Sequence, residues 1–155
     1  LVMSTTPGQD SNTGDGKVRG MRNFGNKIWN AGRFVKDLGS KTTDDRRPGF
    51  RVKPGMTNNT EFKKRIETIK QELTRLLEDN RVGLAAEYVY NEFWHWFCDE
   101  QIEENKQGKI SDDVLKDGFK SFLVMLHPFV PFVTEAVWKE VFIGDGMLIS
   151  QSWPI

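Results

Sequence analysis

Apolar residues recur with a helical period along most of the chain. Phe24, Ile28, Ala31, Val35 and Leu38 share one face of a 3.6-residue repeat, which predicts a helix from about Lys17 to Gly39. Phe62, Ile66, Ile69, Leu73, Leu76 and Leu77 mark a second helix to about Asp79, opened by Asn58 and Glu61 as a capping box. A third, from Val82 to about Asn105, is apolar nearly all round through Tyr88, Val89, Phe93, Trp94, Trp96 and Phe97, so it is expected to be the most buried. Ser111 is placed to cap a fourth, with Ile110 stapled to Leu115, and Leu115, Phe119, Phe122 and Leu126 line its inner face. Pro128 and Pro131 then interrupt the pattern, a short helix is expected from Thr134 to Phe142, and Met147 to Gln151 reads as extended. Four long helical patterns with little strand signal predict an all-α fold, an antiparallel four-helix bundle.

Two segments lack such a pattern. Residues 1–16 carry turn chemistry (Pro7-Gly8, Gly14-Asp15-Gly16) and read as a lead-in to a helical domain over 17–155. Residues 39–57 form a long, basic, Pro/Gly-punctuated connection between the first two helices, of a length that implies mobility or function. At 155 residues the chain suffices for one domain with a sizeable core. Its opening on Leu1-Val2-Met3 and its end at Trp153-Pro154-Ile155 suggest a piece of a longer protein.

The formal charge of zero conceals an asymmetry. Residues 17–81 carry a net +9 and residues 82–155 a net −7. A basic half suits a polyanion such as RNA; equally, the two halves can neutralise each other by packing together. The lone Cys98 has no cysteine or histidine companion, so it is expected to be buried in a reduced, cytoplasmic protein without structural zinc. No run approaches the ~20 apolar residues of a membrane span.

Catalytic chemistry has little support. Phosphate-loop, dinucleotide and HExxH motifs are absent, and the two histidines, His95 and His127, have no nucleophile at a recognisable spacing. The cluster Asp99-Glu100 with Glu103-Glu104 reads as a solvated helix face rather than a cation site. Binding has more support. At about 100° per residue, Asn23, Lys27, Asn30 and Phe34 gather on one flank of the first helix. An aromatic face, two carboxamides and a cation are the groups used against single-stranded RNA, although Phe34 can equally widen the apolar stripe beside a solvated Lys27. Gly25, Trp29 and Gly32 fall on another flank, where small residues would admit a close neighbour against the indole. Arg33, with Arg22 nearby, is expected to face solvent or a phosphate.

TTPGQD at 5–10, RNFGNKIWNAGRFV at 22–35, WHWFCDEQIE at 94–103, LHPFVPFVTEAVW at 126–138 and SWP at 152–154 follow one another along the chain. In this order they resemble the anticodon-binding region of the valyl-tRNA synthetase family. The LHPFVPFVTEAVW segment is shared with related class I synthetases. The first-helix motif with PGQD and FCD favours the valine enzyme over the isoleucyl, leucyl or methionyl equivalents. The chain departs from the family's usual pattern at Trp96, at Glu100-Gln101 and at the opening of the second helix.

The resemblance implies a four-helix bundle of the class I type that grips the anticodon loop of valine tRNA. In the first helix it implies that Lys27, Arg33 and Phe34 lie in the anticodon pocket, with Phe34 stacking on a base and the two cations on phosphates or base edges. Asn26, Asn30 and Trp94 of the third helix are further candidates. It also implies a monomeric, cytoplasmic ligase whose ATP-using catalytic domain is absent here, so that this chain needs no cofactor. The reading from another class is a helical protein-interaction or scaffold domain.

Overall fold

The described residues, 15–40 and 58–153 of a computed structural model, contain helices, turns and no strand. The fold is all-α. Helix α1 spans Asp15–Ser40 and α2 spans Asn58–Glu78. Helix α3 (Val82–Asn91) continues without a break into a π helix (Glu92–Gln101) and then α4 (Ile102–Lys106). Helix α5 is Asp112–Leu126, α6 is Pro131–Val141, and a 3-10 turn covers Leu148–Ser150. The expected lead-in lies outside the described residues except for Asp15 and Gly16, which already belong to α1. The expected basic connection lies outside them except for Gly39 and Ser40.

Helix ends follow from local chemistry. Asn80 takes a left-handed φ of 57° after α2, and the Asn80 and Arg81 amides donate back to the Leu77 and Leu76 carbonyls. Gly108, at φ 77°, closes α4 in the same way, with its own amide donating to Asn105 and that of Lys109 to Glu104. Both are Schellman caps, in which a residue tolerant of positive φ satisfies otherwise orphaned carbonyls.

The start caps differ from expectation. Ser111 stands at the N-cap of α5 but makes no capping bond there. Its hydroxyl accepts from Asn59 Nδ2 at 3.2 Å, and its amide donates to Asn59 Oδ1 at 3.1 Å, so the pair ties α2 to α5. Asn58 is the first residue of α2, and its carboxamide donates to Glu104 at 3.3 Å. Helix α6 starts at Pro131, three residues before the expected Thr134. Proline fits the first helical position because its missing N–H would have had no partner there. The stretch expected to be extended, Met147 to Gln151, instead encloses the 3-10 turn between two extended residues.

Phenylalanines form the centre. Phe93 and Phe97 stack on each other and pack, stacked, tilted or edge-on, against Phe119 and Phe122 of α5, with ring centroids 5.2–6.4 Å apart. Asn105 bonds Asp112 at the start of α5 while Phe93 lies against Phe122 near its end, so α5 runs antiparallel to the third helix. The same argument holds for α2, where Asn58 meets Glu104 and Arg65 meets Glu92. The most enclosed helix is α5, with eight of its fifteen residues buried. The third helix, expected to hold that place, leaves Leu84 half exposed and Tyr88, Trp94 and Trp96 half-buried. Its excess of apolar side chains lies on flanks that α1 and α2 cover in part.

Helix α6 lies along α1. A Cβ on Gly32 would come within 2.6 Å of Val137 Cγ1, so glycine sets this approach. His127 is structural, with Nδ1 2.9 Å from the Thr134 hydroxyl. Trp153 Nε1 donates to Thr74 Oγ1 at 2.9 Å and fastens the end of the described chain to α2.

Candidate nucleic-acid interface

Helix α1 sorts its residues by angle. Phe24, Ile28, Ala31 and Val35 are buried, as their spacing predicts. Arg22, Asn26, Trp29 and Arg33, at i, i+4, i+7 and i+11, form one exposed stripe, and the exposed Asn23 and Asn30 lie beside it. Among the described residues no carboxylate pairs with Arg22 or Arg33. The stripe therefore presents two free guanidiniums, three carboxamides close by and an indole with 41% of its surface exposed.

Lys27 and Phe34 sit differently. Both are half-buried. Lys27 Nζ donates to Asp99 Oδ1 at 2.7 Å and lies 5.0 Å from the Trp94 ring centroid. Trp94 in turn stacks on Phe24 and Tyr90, with centroids 6.2 and 5.6 Å away, so the lysine rests on an aromatic tier joining α1 to the third helix. Phe34 packs against the core edge with Lys106 Nζ 5.5 Å from its ring centroid. The structure thus brings Lys27 and Trp94 together, places Phe34 apart from them, and leaves Asn26, Asn30 and Arg33 facing solvent.

Trp29 was missed by periodicity. The sequence assigns it with Gly25 and Gly32 to a close-packed flank, but only Gly32 meets a neighbour. Nothing lies within 4 Å of a Cβ built on Gly25. The available signal was the shared stripe with Arg22, Asn26 and Arg33, which core-centred counting passes over.

The acidic segment after Cys98 is divided among several partners. Asp99 faces Lys27 and His95, Glu103 pairs with Lys106, and Glu104 accepts from Asn58. Among the described residues no group of three His, Cys, Asp or Glu is placed to hold a metal ion. Cys98 is buried, and loss of solvation pushes its thiol up to about 12; the nearby Lys27 charge opposes this rise and that of Asp99 adds to it. Such a thiol is unreactive at neutral pH.

The family model for the anticodon-binding domain of tRNA ligases matches residues 59–155, from α2 to the end of the chain. The chain belongs to this family. Helix α1 precedes the matched span but is included in the similarity to individual relatives. A valine–tRNA ligase of Pelagibacter ubique is 34% identical over 99% of this chain. Those of Carboxydothermus hydrogenoformans and Clostridium tetani are 31% and 30% identical, again over 99% of it. The chain spans 18–19% of the length of these curated relatives. The resemblance drawn from the motifs is borne out: this is an anticodon-binding domain similar to that of valine–tRNA ligases.

Proposed function

We propose that this anticodon-binding domain holds the anticodon loop of a valine tRNA against the outer face of α1. It thereby seats the tRNA for aminoacylation by the ATP-using catalytic part of a larger, cytoplasmic, monomeric valine–tRNA ligase. The observation that carries the reading is the exposed stripe Arg22-Asn26-Trp29-Arg33 with Asn30 beside it. Guanidiniums suit phosphates, carboxamides suit base edges, and an exposed indole suits a splayed base. Lys27, set on Trp94, borders this face, and Phe34 is a second stacking surface if Lys106 swings away from its ring.

The bundle is of the class I synthetase type in this reading. Its antiparallel helices are α1, α2, the continuous Val82–Lys106 helix and α5, with a long basic connection between the first two. The opposed directions of α2 and α5 relative to the third helix support it.

Valine tRNA is titrated into the 155-residue chain at two salt concentrations, beside a tRNA differing only in its anticodon. Tighter binding of valine tRNA is expected at both. Trp29→Ala and Phe34→Ala each test one stacking surface, and loss of a base-stacking contact costs about 1–3 kcal/mol of binding. Equal affinity for the two tRNAs would reduce the activity to non-specific electrostatics. Wild-type affinity in both variants would remove stacking from the mechanism.

A further inference from the structure

A groove of about 530 Å³ opens between α2 and the π helix. It is distinct from the α1 face: Trp94 lies against Phe24 and Lys27 of α1, whereas Trp96 lies against Phe62 of α2 and lines the groove. The Trp96 and Phe62 rings stack at 5.2 Å with 28° between planes. The volume is within the range of small-ligand sites.

Gln101 marks the groove as more than a surface fold. It retains 7% of its exposure, lines the groove, and its carboxamide has no hydrogen-bond partner among the described residues. The other buried polar side chains are satisfied. Asn105 donates to the Ile110 carbonyl and Asp112, and Thr134 donates to the Val130 carbonyl. An unpartnered buried amide is costly unless something else supplies its bonds. Among sealed side-chain polar atoms only Glu92 Oε2 lacks a partner in the described residues, so Gln101's amide is reached through the groove.

The charges around it select the ligand. Glu61 and Glu100 line the groove without a cation within ion-pair distance among the described residues, and Glu104 has only the neutral Asn58. Arg65 is turned to Glu92 at 2.8 Å, which leaves Lys64 as the opposing charge. The excess is negative, so a phosphate-bearing ligand is repelled and a cation is favoured. A planar guanidinium stacks on an indole and offers five N–H donors to carboxylates and an amide oxygen, which an ammonium does less well. We propose that this groove binds an arginine side chain presented by a basic protein segment. It does so independently of RNA on α1.

The test is an NMR titration of the full 155-residue chain with a blocked Ser-Gly-Arg-Gly-Ser peptide, following the Trp96 indole and Gln101 side-chain amide resonances. Saturable shifts at both are expected, with affinity about tenfold lower for the citrulline peptide, which removes only the charge, and an intermediate value for lysine. Glu100→Gln with Glu61→Gln should weaken the arginine peptide while the Trp94 indole signal stays in place. Gln101→Leu separates binding from folding: the Tm is held because the amide makes no bond among the described residues, yet peptide affinity falls. Equal binding of arginine and citrulline peptides would overturn the proposal. So would a single-stranded oligoribonucleotide that shifts Trp96 where the arginine peptide does not, or wild-type affinity in Gln101→Leu.

Discussion

Two glycines seven residues apart on α1 have opposite roles. Gly32 faces Val137 so closely that a methyl group must displace a branched side chain with little freedom to move. Gly32→Ala should therefore destabilise the domain by about 1–3 kcal/mol, the usual cost of overpacking. Gly25 faces open space, so Gly25→Ala should gain about 0.5–1 kcal/mol from helix propensity. Urea unfolding of both variants checks the pair, and a shared sign would contradict the packing. Cys98 supplies a pH-dependent counterpart. Its folded pKa of about 12 lies above the ordinary thiol value of 9.0, so the folded state keeps a proton that the unfolded chain gives up. Stability is fully present below about pH 9 and declines as the pH rises toward 12. Cys98→Ala should flatten the wild-type slope in that window, whatever the cavity does to absolute stability. Equal slopes would mean that the thiol is more solvated than its burial indicates.

At the scale of elements, the bonds between helices decide what a capping residue does. Asn59 and Ser111 exchange two hydrogen bonds across α2 and α5, so their effects should not be additive. A double-mutant cycle with Asn59→Ala and Ser111→Ala should give a coupling of about 0.5–1.5 kcal/mol, whereas a purely local N-cap would give almost none. This pairing was invisible in the sequence, which places Ser111 at the cap correctly but cannot say which helix its hydroxyl serves. Helix positions were legible because Phe24, Ile28, Ala31 and Val35, or Leu115, Phe119 and Phe122, repeat with the period of the helix that buries them. The π helix was not. Its altered register lies within a segment apolar on several faces, where no single spacing stands out. Runs of ten residues are long for a conformation usually confined to single-turn bulges. The candidate site was half legible for a related reason: periodicity identifies what faces the core, and it sorts the remaining residues only by angle. It placed Arg33 and Asn30 at the surface, but whether Trp29 or Phe34 was the exposed aromatic depended on where α6 and Lys106 lie.

For the whole molecule, the basic and acidic halves meet in Lys27–Asp99, Lys36–Glu140 and Arg65–Glu92. Both readings of the charge asymmetry therefore act at once: part of the positive charge is consumed within the fold, and Arg22 and Arg33 are left facing outward. Each exposed pair contributes at most about 1 kcal/mol, so their effect on stability is small and screened by salt. Their larger effect is on how much cation α1 can offer an RNA. Asp99 holds Lys27 at 2.7 Å, in competition with any phosphate. Asp99→Asn keeps the shape and removes the competing charge. The variant should lose no more than about 1 kcal/mol of stability and bind valine tRNA more tightly at low salt. If Lys27 then takes up a phosphate, the plot of log affinity against log salt should steepen by about 0.7–0.9, one more phosphate neutralised. Lys27→Ala in the Asp99→Asn background should return the slope to the wild-type value or below. An unchanged slope in Asp99→Asn would place Lys27 outside the RNA contact and assign it to the aromatic tier alone.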